Sequence, residues 1–339
     1  MQYTKYLSRP NRPLTKMIVR SLLISILFQF LLCTGYAQSR INVTVSKDGS
    51  GNYKTVQEAL DKVPENNKIP FIIHIKNGVY KERLVLDTRK NFVTLIGEDK
   101  NKTILTYDNH AGLKLPNGDT INTWSSASFF IYADNFTAEN ITFQNNAGFT
   151  AGQAVALFVN GTREAIRNCN LIGFQDVLFC SGQGTKQYYE NCYIEGTTDF
   201  IFGPATAVFK NCEMHSKKNS HVTAASTPHE IPYGFVFIDC KLTADTGLNK
   251  VSLGRPWQPH ASVTYIHCQI GNHIIPEGWN NWKNPDNEKT ARFAEYENTG
   301  PGADTTARVP WSRQLTKEEY EEKYTIKKIL GDWDPQKKK

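Results

Sequence analysis

Few features of this 339-residue sequence suit a membrane protein. Its main apolar run, residues 21–32, is about a dozen residues long, whereas a helix that crosses a bilayer needs roughly 20. No acidic residue precedes this run, and small residues follow it at Gly35-Tyr36-Ala37. Five basic residues stand ahead of it, at Lys5, Arg9, Arg12, Lys16 and Arg20. The pattern predicts a signal peptide over residues 1–37, cleaved after Ala37, and not a transmembrane anchor.

Little net charge remains once that leader is removed. The whole chain carries a formal charge of +6, and the five basic residues of the leader account for all but +1 of it. Three further lysines are confined to the tail, at residues 337–339. A nucleic-acid partner is therefore not expected. We expect a secreted or periplasmic protein with no stable membrane association after cleavage, and nothing in the sequence requires more than a monomer.

Helical periodicity is scarce between residues 70 and 275, and a repeated phrase takes its place. Five of the six cysteines outside the leader stand at one point of this phrase, and Ile141 takes the place of Cys in an earlier copy. The five are Cys169, Cys192, Cys212, Cys240 and Cys268. The steps from Ile141 onward are 28, 23, 20, 28 and 28 residues. Periods of this size predict a solenoid, and short alternating segments between turn residues predict that its repeats are strands.

We interpret residues 38–339 as a single all-β domain, a right-handed parallel β-helix in which each repeat is one coil. Each Cys then stacks on the next in an inward-facing ladder. Neighbouring coils lie ~4.8 Å apart, close to the Cα separation of a disulfide. Cys192 and Cys212 are thus the candidates for a bridge, with free thiols as the alternative. No metal site is expected, because no histidines stand at zinc-like spacing.

Short helices are expected to cap the solenoid at its ends. Thr55-Val56-Gln57-Glu58 is a capping box that predicts a helix running to Val63. Thr316-Lys317-Glu318-Glu319 predicts a second helix near the C-terminus. The open end of a solenoid needs such a cover.

The repeat places two aspartates in register. Asp176 lies seven residues after Cys169, and Asp199 lies seven residues after Cys192. Stacked coils bring the two carboxylates to roughly 5 Å of each other. Two like charges at that distance do not both ionise readily, so one pKa is expected to rise and the other to stay low. Such a pair supplies a proton donor and an anionic nucleophile or base.

Other residues favour a reaction site over a plain ladder of surface aspartates. Gln153 and Gln175 are amide donors for an oxyanion, Arg255 is a cation that would keep one aspartate ionised, and Trp257 offers a flat face for a sugar ring. Two carboxylates about 5 Å apart also describe a retaining glycosidase. The spacing alone therefore leaves esterase and glycosidase open.

The sequence resembles the pectin methylesterases, or pectinesterases, from about Ile41 to Trp333. Five blocks in the family's order carry the resemblance: Gly78-Val79-Tyr80-Lys81-Glu82, Gln153-Ala154-Val155-Ala156-Leu157, Gly173 to Phe179, Thr198 to Gly203, and Leu253 to Trp257. The family has a parallel β-helix fold and needs no metal or organic cofactor. Its substrate is methyl-esterified pectin, a polygalacturonan.

The resemblance implies a role for each residue that matches a family motif. Asp199 is expected to be the nucleophile that attacks the C6 ester carbonyl, and Asp176 the acid/base that protonates departing methanol. Gln153 and Gln175 would stabilise the oxyanion, and Arg255 would orient Asp199 and keep it charged.

Four side chains are expected to bind the sugars: Trp257, Phe202, Phe174 and Thr198. Two of these depart from the family pattern, since Phe174 stands where Tyr is usual and Thr198 where Val is usual. Phe179 and Val177 also replace the usual Tyr and Thr. No reacting group is lost, so these departures bear on subsite preference and not on the reaction.

Other enzymes and a binding protein are competing interpretations. A polygalacturonase would carry Asn-Thr-Asp and Gly-His-Gly signatures, which the sequence lacks. The run from Arg308 to Arg313 fits the Arg-x-Pro-x-x-Arg pattern of pectate lyases, but it lies beyond the repeats and has no acidic calcium cluster beside it. A thioesterase on the same fold and a non-catalytic carbohydrate-binding β-helix remain as alternatives.

Overall fold

The computed structural model describes residues 1–3 and 40–337. The predicted signal peptide therefore lies almost entirely outside the described residues and stays a prediction. Residues from Arg40 onward form one compact unit. In the part of the chain described, no helix is long and apolar enough to cross a membrane.

Three parallel sheets build this unit, and each coil contributes one strand to each sheet in turn. The strands of the eleven-strand sheet are Ile41–Val45, Phe71–Ile75, Val93–Gly97, Thr137–Glu139, Glu164–Arg167, Lys186–Glu190, Thr206–Lys210, Phe235–Ile238, Ser262–Ile266, Arg292–Tyr296 and Arg313–Gln314. Those of the eight-strand sheet are Gly78–Lys81, Thr103–Tyr107, Thr142–Asn145, Asn170–Ile172, Tyr193–Gly196, Glu213–Ser216, Lys241–Ala244 and Gln269–Ile270. Those of the seven-strand sheet are Leu84–Leu86, Phe129–Ile131, Leu157–Val159, Leu178–Cys180, Ile201–Gly203, His221–Ala225 and Ser252–Pro256. This arrangement confirms the parallel β-helix.

The repeated phrase marks the corner between the eleven-strand and the eight-strand sheet. In each copy the residue before the Cys or Ile has a positive φ, with values from 47° to 60°. These corner residues are Asn140, Asn168, Asn191, Asn211, Asp239 and His267. Asn, Asp and His are the side chains that adopt this left-handed backbone most readily. The Asn that precedes most of the cysteines is thus the residue that turns the chain between two strands.

The cysteine ladder faces the core, as predicted. Its five cysteines are at most 2% exposed, and Ile141 is fully buried above them. All six cysteines in the described part of the chain are free thiols, so the candidate bridge between Cys192 and Cys212 is not formed. Each of these two thiols instead lies against a backbone carbonyl of the preceding coil, Cys192 at 3.5 Å from Ile166 O and Cys212 at 3.5 Å from Tyr189 O.

The N-terminal helix is confirmed and the C-terminal one lies elsewhere than expected. Helix α1, Val56–Asp61, has a capping box at Thr55 and buries Val56, Ala59 and Leu60 in the core of the solenoid. It ends two residues earlier than predicted.

Helices α2, Lys317–Lys323, and α3, Ile326–Leu330, follow the predicted capping box at Thr316. The apolar residues of α3 pack on the outer face of the eleven-strand sheet, against side chains that include Tyr188, Val208 and Val236. This face is apolar and needs a cover, which explains why the C-terminal helices lie along the flank of the solenoid and not over its end. Two short 3-10 helices, Thr123–Ser125 and Pro285–Lys289, lie in the loops.

The free thiols make a testable prediction for the protein beginning at Arg40. Denatured without reductant, it should expose six thiols that can be titrated. The native protein should react slowly with a thiol reagent, because all six are buried. Its melting temperature should be the same with and without dithiothreitol, because the reductant has no disulfide to break. Reduction of a native disulfide typically costs about 2–5 kcal/mol and would lower the melting temperature. A count of four thiols, together with a lower melting temperature in reductant, would contradict the free-thiol ladder.

Candidate active site

The two aspartates stand at equivalent positions of neighbouring coils. Each precedes a strand of the seven-strand sheet by two residues, and these strands pair in parallel with Leu178 opposite Ile201 and Phe179 opposite Phe202. The amide of Asp176 donates to the carbonyl of Thr198 at 3.1 Å, which joins the two coils just before the strands begin. The predicted register is therefore confirmed.

Both aspartates have a left-handed backbone, with φ of 64° at Asp176 and 50° at Asp199. This conformation is uncommon for a residue with a Cβ and clusters at functional sites. Both side chains line one cleft, of about 250 Å³, beside the seven-strand sheet. The backbone turn thus presents two carboxylates side by side at one edge of the sheet, although each residue is less than a tenth exposed.

Arg255 holds Asp199 with two hydrogen bonds. Its Nε donates to Oδ1 at 3.0 Å and its Nη2 to Oδ2 at 2.6 Å, the fork geometry that a guanidinium makes with a carboxylate. Arg255 belongs to a strand two coils beyond the coil of Asp199, where it is in register with Phe202 on the coil of Asp199 and with Ala224 on the intervening coil. A small side chain at that coil leaves the path open for the arginine. The guanidinium also lies 3.6 Å from the ring centre of Trp282, which adds a cation–π contact.

The electrostatics of the pair differ from the expectation in one respect. Burial raises the pKa of Asp176 well above its ordinary value, and the neighbouring charge of Asp199 raises it further. Burial also raises the pKa of Asp199, but the hydrogen bonds and charge of Arg255 oppose that rise. The prediction that one pKa would stay low is therefore wrong, because both carboxyls are buried. The predicted division still follows: Asp199 ionises first, and Asp176 keeps its proton.

Gln153 and Gln175, the two predicted amide donors, lie together on adjoining coils. Their backbones form an isolated parallel bridge, and both side chains line the cleft. The Gln175 amide also hydrogen-bonds Asp176, and this opposes the rise of the pKa of that carboxyl. The two amides thus stand beside the carboxylate pair, where oxygen becomes negatively charged during acyl transfer.

Aromatic side chains form the walls of the cleft. Phe202 and Trp257 line it, as predicted, and Phe202 stacks on Phe179 with ring centres 4.5 Å apart. Trp124 and Trp282 also line it, and the sequence analysis missed both. Trp124 stacks on Trp257 with ring centres 5.5 Å apart and is 46% exposed. Both missed residues lie in long loops outside the repeat, so the periodicity that located the aspartates carried no signal for them.

A buried asparagine fixes the loop that carries Trp124. Asn145 is 1% exposed, and its side-chain amide donates to the carbonyls of Asn109, Ser126 and Val155 at 2.9, 3.3 and 3.0 Å. The first two of these carbonyls belong to the loop between residues 108 and 128. Asn145 therefore ties both ends of the loop to the strand beside the cleft.

His221 is a third residue that the sequence analysis missed. Its carbonyl oxygen accepts a hydrogen bond from the amide of Asp199 at 2.8 Å, and its ring Nδ1 hydrogen-bonds with the hydroxyl of Ser252 at 2.7 Å. Burial and the charge of Arg255 lower its pKa to about 4. The imidazole is therefore neutral near pH 7 and adds no positive charge to the site.

Two of the predicted sugar contacts lie outside the cleft. The hydroxyl of Thr198 donates to that of Ser220 at 2.8 Å. The ring of Phe174 lies under the ammonium of Lys217, with the nitrogen 4.3 Å from the ring centre. Their roles as substrate-binding residues stay predictions.

The arginines that fit the lyase pattern serve the fold. Arg308 makes an ion pair with Glu295, with Nε 2.8 Å from Oε1, and both side chains are at most 5% exposed. Arg313 pairs with Glu319 at the start of α2. Neither lines the cleft that holds the aspartates.

The comparisons with known proteins agree with this fold. A family model described as Pectinesterase matches residues 42–332. The chain is 39% identical over 283 residues to pectinesterase 31 of Arabidopsis thaliana, which covers 82% of this chain and 88% of that protein. It spans about half the length of other plant relatives whose names join pectinesterase to pectinesterase inhibitor.

Solved structures resemble it over most of their length. Pectin methylesterase from carrot superposes with a TM-score of 0.78 at 34% identity, covering 86% of this chain and 93% of the other. A pectin methylesterase in complex with a hexasaccharide gives a TM-score of 0.77 at 31% identity, covering 88% and 100%. With the match over residues 42–332, these identities show that the chain belongs to the pectinesterase family of carboxylic ester hydrolases.

Proposed function

We propose that this protein hydrolyses the C6 methyl esters of homogalacturonan, with Asp199 as nucleophile and Asp176 as acid/base. The observation that carries the proposal is the unequal pair itself. One buried carboxylate is oriented by a two-point arginine contact, and a second, held protonated, stands one coil away beside two amides. The substrate follows from the family and from the hexasaccharide bound by a structural relative.

The geometry supports a reaction in two steps. Asp199 attacks the C6 carbonyl carbon, and the amides of Gln153 and Gln175 donate to the oxyanion that forms. The bond from C6 to the methoxyl oxygen then breaks, Asp176 gives its proton to the departing methanol, and an anhydride with Asp199 remains. Water attacks C6 of this anhydride while Asp176, now ionised, accepts a proton from the water. The bond from C6 to the Asp199 oxygen breaks, which frees Asp199 as a carboxylate, and the new galacturonic acid loses its proton to solvent. The products are methanol and a galacturonate, and both aspartates return to their starting states.

The surroundings of the pair suit this division of roles. Arg255 donates one hydrogen bond to each oxygen of Asp199, so it fixes the position of both oxygens and favours the ionised carboxylate. Burial keeps Asp176 protonated at the pH where Asp199 is ionised. The faces of Trp124, Trp257 and Trp282 offer stacking surfaces for the sugars on either side. Export of the enzyme, predicted from the leader, would bring it to a polymeric substrate outside the cell.

Removal of the nucleophile is the first test. Asp199→Asn keeps a side chain that tolerates the left-handed backbone, so the change should remove the charge and leave the fold intact. Methanol release from highly methylated pectin should fall by roughly 10⁴-fold or more. Asp239→Asn is the matched control, because Asp239 has the same backbone conformation (φ 53°) at a corner remote from the cleft.

Other products would decide between the competing interpretations. Reducing ends or unsaturated sugars in place of methanol would mean cleavage of the chain and would contradict the proposal. No reaction with any pectin by the unmodified protein would favour a thioesterase or a binding protein.

The pH dependence of kcat/KM tests the acid/base assignment. The rate should fall at low pH as Asp199 becomes protonated and at high pH as Asp176 loses its proton. The profile is then bell-shaped, and its two apparent pKa values belong to the pair of aspartates together. Arg255 lowers the pKa of both carboxyls. Arg255→Gln should therefore move both limbs to higher pH, besides reducing the rate. An acid limb that stays in place in this variant would show that Asp199 is not the group that titrates there.

A further inference from the structure

A strip of aromatic rings runs along the seven-strand sheet, away from the catalytic pair. Phe202, Phe179, Phe158 and Phe130 occupy equivalent positions of four successive strands. Their ring centres are 4.5, 5.0 and 5.5 Å apart in turn. Since each coil advances by ~4.8 Å, Phe130 lies roughly 14 Å from Phe202 along the solenoid axis. The row of rings thus leads from the cleft along the solenoid axis. Its four members are at most 7% exposed, so other side chains form the outer surface above it, among them Trp124, whose ring centre lies 5.1 Å from that of Phe179.

Two exposed groups stand at the far end of the strip. The guanidinium carbon of Arg83 lies 4.6 Å from the ring centre of Phe130, which fixes the charge over this end of the face. Tyr132 is 36% exposed, and its ring contacts Phe130 and Phe158 with centres 6.1 and 5.4 Å away. Phe130 itself is only 2% exposed. The surface offered to solvent here is therefore an aromatic face beside a cation.

Arg83 lacks a carboxylate partner in the part of the chain that the structure describes. Its neighbour Glu82 is engaged elsewhere, because its two oxygens accept the amides of Val56 and Gln57 at 3.1 and 3.0 Å, at the start of α1. On the same coil, Arg89 makes ion pairs with both Asp87 and Glu65. Arg83 thus differs from Arg89 because its positive charge has no carboxylate beside it, on the surface that leads to the catalytic pair.

We propose that Arg83 and Tyr132 form a distal subsite that binds a free galacturonate carboxylate of the polymer. A 1,4-linked pyranose chain advances by roughly one coil step per sugar. A chain seated on the catalytic pair and laid over this row of rings, on the surface that Trp124 and Tyr132 expose, therefore reaches Arg83 about three sugars away. There the guanidinium binds the carboxylate of a sugar that has lost its methyl group, and Tyr132 packs against the ring. A methyl ester at that position offers no charge, so the subsite favours chains that are already partly de-esterified.

The inference rests on the proposed function, and it adds a preference among pectins that the catalytic residues do not supply. Hydrogen bonds to a charged partner that persist through the reaction lower KM and leave kcat unchanged. The preference should weaken with salt, since the subsite is exposed and charges in solvent are screened beyond about 10 Å at 0.1 M ionic strength.

The test compares two pectins, one fully methylated and one partly de-esterified, with the unmodified protein, Arg83→Met and Arg83→Lys. Met keeps an unbranched apolar chain over Phe130, so the packing is conserved while the charge is lost. With Arg83→Met, KM on the partly de-esterified pectin should rise about three- to tenfold with kcat unchanged, while both constants on the fully methylated pectin stay the same. Arg83→Lys should recover part of the loss. Arg89→Gln is the matched control and should change nothing.

Binding without turnover separates this inference from the proposed function. Calorimetry with an unesterified galacturonate hexamer should show weaker binding to Arg83→Met than to the unmodified protein, whether or not methanol is released in the kinetic assay. Equal binding of the hexamer by both would overturn the subsite. So would a KM that changes equally on both pectins, since that is the sign of a structural effect. Failure of methanol release by the unmodified protein overturns the proposed function alone.

Discussion

The structure depends on one constraint, which is that every coil must place its strands directly over those of the coil before. Parallel hydrogen bonding fixes the spacing between coils, and the corner residues with positive φ fix where each strand begins. Residue types that accept this backbone recur at the corner from Asn140 to His267. Once the corners are in register, the core ladder of cysteines and the pair Asp176 and Asp199 fall into register as well. The site is in this sense a local use of the same repeat that holds the fold together.

The chemistry of the site comes from unequal treatment of two similar groups. Asp176 and Asp199 have the same backbone conformation, the same depth of burial and the same place in their coils. Arg255 breaks the symmetry, since both of its bonds go to Asp199. It reaches that carboxylate from two coils away, past the small side chain of Ala224 on the intervening coil. A single guanidinium therefore decides which aspartate carries the charge and which carries the proton.

The sequence was sufficient for whatever follows from the repeat. The fold, the inward cysteines and the register of Asp176 with Asp199 all depend on residues that recur at equivalent positions. It was insufficient where long loops fold back, as for Trp124 and Trp282, because their placement depends on contacts such as those of Asn145 that have no period.

Two expectations failed for reasons of local physics. The spacing between coils permitted a bridge between Cys192 and Cys212, but both thiols are free and each contacts a backbone carbonyl of the preceding coil. The pKa of Asp199 was expected to stay low, yet its burial outweighs the effect of the arginine.

A solenoid of this kind separates the length of the molecule from its chemistry. Each coil contacts only its neighbours, and the residues of the cleft all lie between Thr123 and Trp282. Coils before Thr123 add surface along the axis without entering the reaction. Gain or loss of one coil at that end would therefore lengthen or shorten the solenoid while Asp176 and Asp199 stay as they are. Related proteins can in this way differ in the length of the solenoid and still share the same cleft.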